Sequence, residues 1–179
     1  MRYRKLGRTG LDPAAVEDLV IGCTAPFGEQ SRNIGRNAWL QAGYPAEVPA
    51  TTLDRRCGSA QTSVNFAAAL IASGVHDIVI AGGVEHMGHV PMNSPAKISE
   101  LYGDPWPAEL RERYDFVTQG ESAELIAERW DISRTEMDEF AVRSHALAAD
   151  AVAAGRTRRA PFASRSQALT LIKKWSTMA

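Results

Sequence analysis

Apolar residues follow two kinds of spacing along this chain, and the pattern changes after residue 87. Before that point, short runs suited to buried strands alternate with stretches at helical spacing. Asp18 to Gly22 (DLVIG) is apolar behind a single charge, as a strand covered on both faces requires. Ahead of it, Asp12-Pro13 joins an N-cap residue to the residue favoured at the first helical position, which predicts a short helix. Gln30 to Ala42 sets Ile34, Ala38 and Trp39 on one side and is followed by Gly43, which predicts a second helix. Pro49 to Leu53 is a short β-prone run. Ala60 to Ile71 carries Val64, Ala67, Ala68 and Ile71 at helical spacing and stops at Gly74. Asp77 to Ala81 (DIVIA) is a further buried-strand run, closed by Gly82 and Gly83. Strand–helix–strand–helix–strand predicts the α/β class, a βαβαβ sheet flanked by helices.

Beyond Met87 the periodicity fades. Residues 88–116 hold Pro91, Pro95, Pro105 and Pro107 and few periodic apolar positions, so a long loop is expected. Gln119 to Trp130 reads as helix. Ser133 and Glu136 form a capping box that opens a helix to about Ala154. Its apolar face carries Met137, Phe140, Ala141, Ser144, Leu147, Ala148 and Ala151, and Gly155 ends it.

Composition changes this picture in one place. The 179 residues are 45% hydrophobic with a formal net charge of -1, enough apolar material for an ordinary core. From Arg156 onward, however, six basic residues occur with no acidic one, on a body whose balance is -7. No aromatic platform or binding motif accompanies that stretch, so no nucleic-acid partner is expected. No apolar run reaches the length of a membrane span, and MRYRKLGRTG lacks the apolar centre of a secretion signal. Two cysteines make no disulfide scaffold and their spacing suggests no metal, so neither a metal nor a bound cofactor is expected. Cys23 reads as structural. A reactive thiol fits a reducing, cytoplasmic setting.

The candidate chemistry sits at Cys57, where a strand gives way to a helix N-terminus. Free backbone N–H groups and the positive end of the helix dipole meet there and favour a thiolate, and Arg55 and Arg56 add positive charge. Such a sulfur suits acyl transfer. Gly58 leaves room for a substrate beside the backbone, and Gly58 and Ser59 behind the thiol are both expected to contact that substrate. Spacing alone also allows a small cysteine used only for packing.

VPATTLDRRCGSAQTSVNFAAALIASGVHDIVIAGGVEHMGHVPM resembles the acyl-enzyme segment of the thiolases, the acetyl-CoA acetyltransferases and 3-ketoacyl-CoA thiolases. GEQSRNIGR, AGYPAEVPA and the GESAE helix start are similar to that family too. The resemblance implies that Cys57 is the acylated nucleophile. It implies further that Gly82, Gly83, Glu85 and Met87 form the family's Gly-Gly-x-Glu-x-Met loop, and that Thr118 and Gln119 lie against the acyl chain. An ordinary helix start accounts equally for the last two. Glu85 reads as a hydrogen bonder under its loop, and His86, His89 and His145 do not stand out as the base. The implied substrate is acyl-CoA with coenzyme A, in a homo-oligomer. A ketoacyl-synthase type of condensing enzyme has a similar cysteine turn, but GGVEHM and SAELIAERW suit thiolase better.

On these motifs the resemblance runs from Thr9 to Arg156. It implies a thiolase-like N-terminal α/β core over 9–87, a mostly helical loop-domain segment over 88–156, and an unrelated basic tail over 157–179. Three departures accompany it: no Ala-x-Arg-Thr-Pro-x-Gly opening strand, a foreign sequence after Arg156, and none of the family's Asn-Glu-Ala-Phe, Gly-His-Pro or Cys-x-Gly-x-Gly segments. Those segments supply the base, the second oxyanion donor and the proton-shuttling cysteine. A truncated thiolase fold with an open sheet edge, and a chain catalytically incompetent by itself, are the resulting expectations.

Overall fold

The computed structural model describes residues 9–92, 94–156 and 169–173. They fall in two compact units, residues 1–98 with 166–179 and residues 99–165.

The first unit is built on β1 (Asp18–Gly22), β2 (Ala50–Leu53) and β3 (Ile78–Gly83), with α1 (Ile34–Gln41) and α2 (Ser59–Ala72) as crossovers. β1 lies between β2 and β3 and pairs parallel with both, Leu19 opposite Ala50 and Ile80. Its last four residues are all buried, which explains the apolar run. Alternate residues serve opposite faces. Leu19, Ile21, Val48 and Ile80 pack with Trp39 of α1, and Val20, Val79 and Ala81 pack with Ala67 and Ile71 of α2. The two crossovers therefore lie on opposite faces of the sheet. The loops leaving the carboxyl ends of β1 and β2 diverge, and the crevice between such loops is where open α/β sheets bind ligands.

Several expectations are corrected here. The helix expected at Asp12-Pro13 is one 3-10 turn, Pro13–Ala15, capped as predicted by the Asp12 carboxylate, which accepts from the Ala14 N–H. β1 begins too soon afterwards for a longer helix. The helix expected over Gln30 to Ala42 is divided into a 3-10 turn, Gly28–Gln30, and α1. Arg32 and Asn33 have left-handed backbones (φ 54° and 62°) that interrupt helical hydrogen bonding. Asn33 then caps α1, and its side-chain amide donates to Ala50 O at 2.5 Å while its carbonyl accepts from Thr52 Oγ1 at 2.9 Å. The break thus fixes α1 to β2.

β4 (Leu169–Lys173) was not expected. It pairs antiparallel with β3, Ile80 opposite Leu171, inside the stretch read as an unrelated tail. LTLIK is β-prone, and a strand edge presents unpaired N–H and C=O groups that such a run can satisfy. The remainder of 157–179, and residues 1–8, lie outside the described residues.

Residues 88–116, which run from the first unit into the second, are less irregular than expected. α3 (Ser94–Tyr102) begins before the second unit, and α4 (Ala108–Arg111) follows within it. Pro95 and Pro107 sit where proline is tolerated, at a helix start and an N-cap, so they mark helix beginnings rather than loop. Trp106 stacks on Phe116 at 4.9 Å, and Arg111 lies over the Trp106 ring. α5 (Gln119–Arg129) and α6 (Arg134–Ala153) each open with a capping box, Thr118–Glu121 and Ser133–Glu136. The apolar stripe on α6 is not buried: Phe140 is 66% and Leu147 61% exposed. No helix among the described residues is long and apolar enough to cross a membrane.

One half-buried carboxyl at the start of β1 gives a pH prediction. Burial lifts the Asp18 carboxyl above the usual carboxylate range, while the Leu19 N–H and the His76 charge offset part of the rise. The folded chain therefore holds this proton more tightly than the unfolded one. The stability it contributes is complete below the unfolded pKa and is lost as pH rises through the folded value. Asp18→Asn keeps an acceptor for the Leu19 N–H (2.7 Å) and carries no charge. It is expected to raise the melting temperature at neutral pH, with a gain that shrinks to nothing below about pH 4. Thermal unfolding at both pH values checks this, and a gain that grows on acidification contradicts it.

Candidate active site

Cys57 lies between the end of β2 and the first turn of α2, at the carboxyl edge of the sheet, and its side chain is exposed. The turn is made by sequence. Arg56 adopts a left-handed backbone (φ 47°), an uncommon conformation for a side-chain-bearing residue. Asp54 steadies it by accepting from the Arg56 N–H at 2.7 Å. The Gly58 and Ser59 N–H groups donate to Arg55 O and Arg56 O at 3.1 and 3.0 Å. Ser59 Oγ accepts from the Arg55 N–H at 2.8 Å and donates to Arg56 O at 2.5 Å.

The same bonds place the Ser59 hydroxyl inside the turn. Ser59 is 4% exposed, and its hydroxyl accepts one bond and donates one within the turn, so it helps shape the turn from inside. Gly58 is exposed and occupies the N-cap position of α2 without a side chain to fill the approach. Among the described residues no backbone acceptor takes the N–H groups of Cys57, Ala60 or Gln61, the donors that a helix start leaves free. The thiol itself makes no hydrogen bond to any described side chain.

A brace beneath the turn was only partly visible in the sequence. Glu85, just after β3, accepts from the Thr24 N–H at 2.7 Å and from Gln30 Nε2 at 2.9 Å, as the structural role expected of it requires. Thr24 Oγ1 in turn donates to Arg56 O at 3.1 Å. Gln30 is 2% exposed, and its amide also donates to Ala25 O and accepts from the His86 N–H. The loops after β1 and β3 are thereby joined to the Cys57 turn. Nothing in the local pattern at Thr24 or Gln30 signals this, because the bonds span more than fifty residues of chain.

Thr118 and Gln119 belong to the second unit. The Thr118 hydroxyl accepts from the Glu121 N–H at 3.3 Å, and the Glu121 carboxylate accepts from the Thr118 N–H at 2.7 Å. That bond holds the Glu121 carboxyl below the usual range. The Thr-x-x-Glu spacing was in the sequence to be read as a second capping box.

The two cysteines differ sharply. Cys23 is 1% exposed, and burial, followed by the nearby Glu85 charge, pushes its thiol up. Iodoacetamide at neutral pH is expected to modify one thiol per folded chain, at Cys57, and two after denaturation. Peptide mapping of the label checks this. Rapid modification of Cys23 in the folded chain is the contrary result.

Comparison with known proteins gives four findings. The family description Thiolase, N-terminal domain, matches residues 3–170, a wider span than Thr9 to Arg156. A steroid 3-ketoacyl-CoA thiolase of Mycobacterium tuberculosis is 42% identical over 156 residues, covering 84% of this chain and 38% of that protein. A 3-ketoacyl-CoA thiolase of Bacillus subtilis is 40% identical over 151 residues, covering 84% and 37%. The crystal structure of the Bacillus anthracis acetyl-CoA acetyltransferase superposes with a TM-score of 0.67 at 28% identity, covering 92% of this chain and 44% of that one. The chain thus spans about two fifths of the length of the relatives it matches.

Proposed function

Because the chain belongs to the thiolase family, matched along its N-terminal domain, we propose that Cys57 is the nucleophile of a thiolase-type acyl transfer from acyl-CoA or 3-ketoacyl-CoA. The thiolate sulfur attacks the acyl carbonyl carbon and forms a new C–S bond. With a simple acyl-CoA, the old thioester C–S bond breaks and coenzyme A leaves as its thiolate. With a 3-ketoacyl-CoA, the C–C bond beside the attacked ketone breaks, and acetyl-CoA leaves as an enolate that takes up a proton. Coenzyme A then removes the acyl group from Cys57. Run in reverse, the same steps condense two acetyl units.

The observation that carries this reading is the exposed Cys57 thiol at the start of α2, beside the N–H groups of Cys57, Ala60 and Gln61 that no described backbone carbonyl accepts. The Cys57 N–H is placed to serve as one donor to the oxyanion. Thr118 and Gln119 are proposed acyl-chain contacts, and Gly58 leaves the path along which the thioester approaches. Exposed apolar residues on α5 and α6, Ile126 and Phe140 among them, support assembly into a homo-oligomer. A reducing, cytoplasmic location keeps the thiol in working form, and fatty-acid β-oxidation is the setting in which 3-ketoacyl-CoA arises.

A second reading rests on the absence of any described imidazole or carboxylate bonded to the thiol. The 179-residue chain alone then takes up an acyl group without cycling, and acts at most as an oligomerisation partner. General acid–base catalysis is worth roughly 10²–10⁴ in rate, and a second oxyanion donor another ~10²–10³. Incubation with acetyl-CoA, followed by intact-mass measurement and peptide mapping, tests the first reading. A single acetyl group on the Cys57 peptide is expected, and acetylation elsewhere or nowhere refutes it. Thiolysis of acetoacetyl-CoA by the same preparation, if it vanishes in Cys57→Ala, overturns the second reading.

A further inference from the structure

A second cluster of reactive side chains lies on the loops that Gln30 joins. Glu29 stands in the 3-10 turn Gly28–Gln30, and His86 and His89 in the turn after β3. His89 Nδ1 is 2.6 Å from Glu29 Oε1, and His86 Nδ1 is 3.7 Å from the same oxygen. The two imidazole rings are 4.2 Å apart and tilted by 51°. One donor atom from each residue falls within 4.8 Å of the other two.

The backbone sets this arrangement. The His89 and Val90 N–H groups donate to His86 O at 3.0 and 2.9 Å, one helical turn that puts His86 and His89 on the same side. Buried Val90 anchors that turn, and the His86 N–H is held by buried Gln30, the residue next to Glu29. Both loops are therefore positioned without help from the three side chains, which lowers the cost of ordering them around a ligand. The brace under Cys57 uses only the backbone of His86.

Two neutral imidazoles and a carboxylate form a nitrogen–nitrogen–oxygen set that suits Zn²⁺ and its first-row neighbours rather than Mg²⁺ or Ca²⁺. Bond lengths of about 2.0–2.2 Å around Zn²⁺ put neighbouring ligand atoms some 3–3.5 Å apart. In the trio the two imidazole Nδ1 atoms already lie 2.6 and 3.7 Å from Glu29 Oε1, which brackets that spacing. We propose that Glu29, His86 and His89 bind one divalent transition-metal ion of the Zn²⁺ class, with water completing its shell. Such an ion ties the loop after β1 to the loop after β3. It thereby stiffens the pair that carries Thr24, Gln30 and Glu85 beneath the Cys57 turn. The expectation of no metal came from cysteine spacing; the His-x-x-His pair was visible, but its carboxylate partner lies far upstream.

Isothermal calorimetry of the tag-free, chelator-treated full chain with ZnCl₂ tests the proposal. One ion per chain is expected. A ligand is worth at least as much as a residue that merely orients one, so His89→Gln and Glu29→Gln should each weaken binding by about tenfold or more. Cys57→Ser and His145→Gln should leave it unchanged, since a thiol is a competing zinc ligand and His145 lies on α6. No stoichiometric binding overturns the assignment, as does binding that persists in both His89→Gln and Glu29→Gln or disappears in Cys57→Ser.

Discussion

Cys57→Ala is expected to abolish acyl uptake from acetyl-CoA while leaving the melting temperature within about a degree or two of the parent. The two halves of this expectation have separate physical grounds. The Cys57 side chain is exposed and its sulfur bonds to no described side chain, so its removal opens no cavity and orphans no partner. Substitutions of that kind usually change stability by less than ~0.5 kcal/mol. The turn is held instead by Asp54, Ser59 and Thr24, none of which contacts the thiol through a hydrogen bond. Acylation, by contrast, has no substitute. The rate effect of deleting a nucleophile that works with its base is on the order of 10⁶, and the other thiol, Cys23, is sealed at 1% exposure with its proton held more tightly. Cys57→Ser separates position from chemistry, because a hydroxyl in the same place is a poor nucleophile without a base. Intact mass after a timed incubation and a melting curve on the same sample decide the matter. Undiminished acetylation of Cys57→Ala removes the proposed role.

The parts of this fold that could be read from sequence are those fixed by short-range pattern. β1 occupies Asp18–Gly22, the bounds its apolar run implies, because a central parallel strand must be apolar on both faces. α2 departs from its expected span by one residue at each end, since Gly74 with φ 77° stops it as a C-terminal glycine does. Periodicity failed where tertiary bonding overruled it. Nothing in residues 30–42 announces that Asn33 would leave helical space in order to reach Ala50 and Thr52. The prolines after Met87 were weighed as breakers, although proline at the start of a helix costs nothing. β4 was masked by a change in composition, while the free edge of β3 that accepts it is a property of the sheet and not of the strand's own residues. The candidate site divides in the same way. The turn around Cys57 is local and was legible. The Glu85–Gln30–Thr24 brace and the Glu29–His86–His89 cluster join residues brought together only by the topology.

Gly22 is the position where fold and site are most tightly coupled, and Gly22→Val is expected to damage both. A Cβ placed on Gly22 would lie 2.4 Å from Ser59 C, 2.6 Å from Ala60 N and 2.7 Å from Ser59 O. All three are backbone atoms of the first turn of α2, which cannot rotate aside as a side-chain tip can. Either β1 leaves the centre of the sheet or the start of α2 moves, and Cys57 moves with it. Overpacking a close-packed interior typically costs ~1–3 kcal/mol, and a backbone collision on the central strand should reach the upper end of that range. Gly22→Ala meets the same first contacts and should lose most of the same stability. Gly35→Ala is the informative comparison, because its new Cβ meets Ile21 Cγ1 at 2.4 Å and Ile21 Cβ at 2.9 Å, which strains the packing of α1 on β1 and leaves the first turn of α2 untouched. Thermal unfolding should therefore register a loss in both Gly22→Ala and Gly35→Ala. Alkylation of Cys57 should be altered only in the Gly22 variant, since Gly35 lies in α1 on the other face of the sheet. An unchanged alkylation rate in Gly22→Ala would show that the first turn of α2 is not seated on the end of β1.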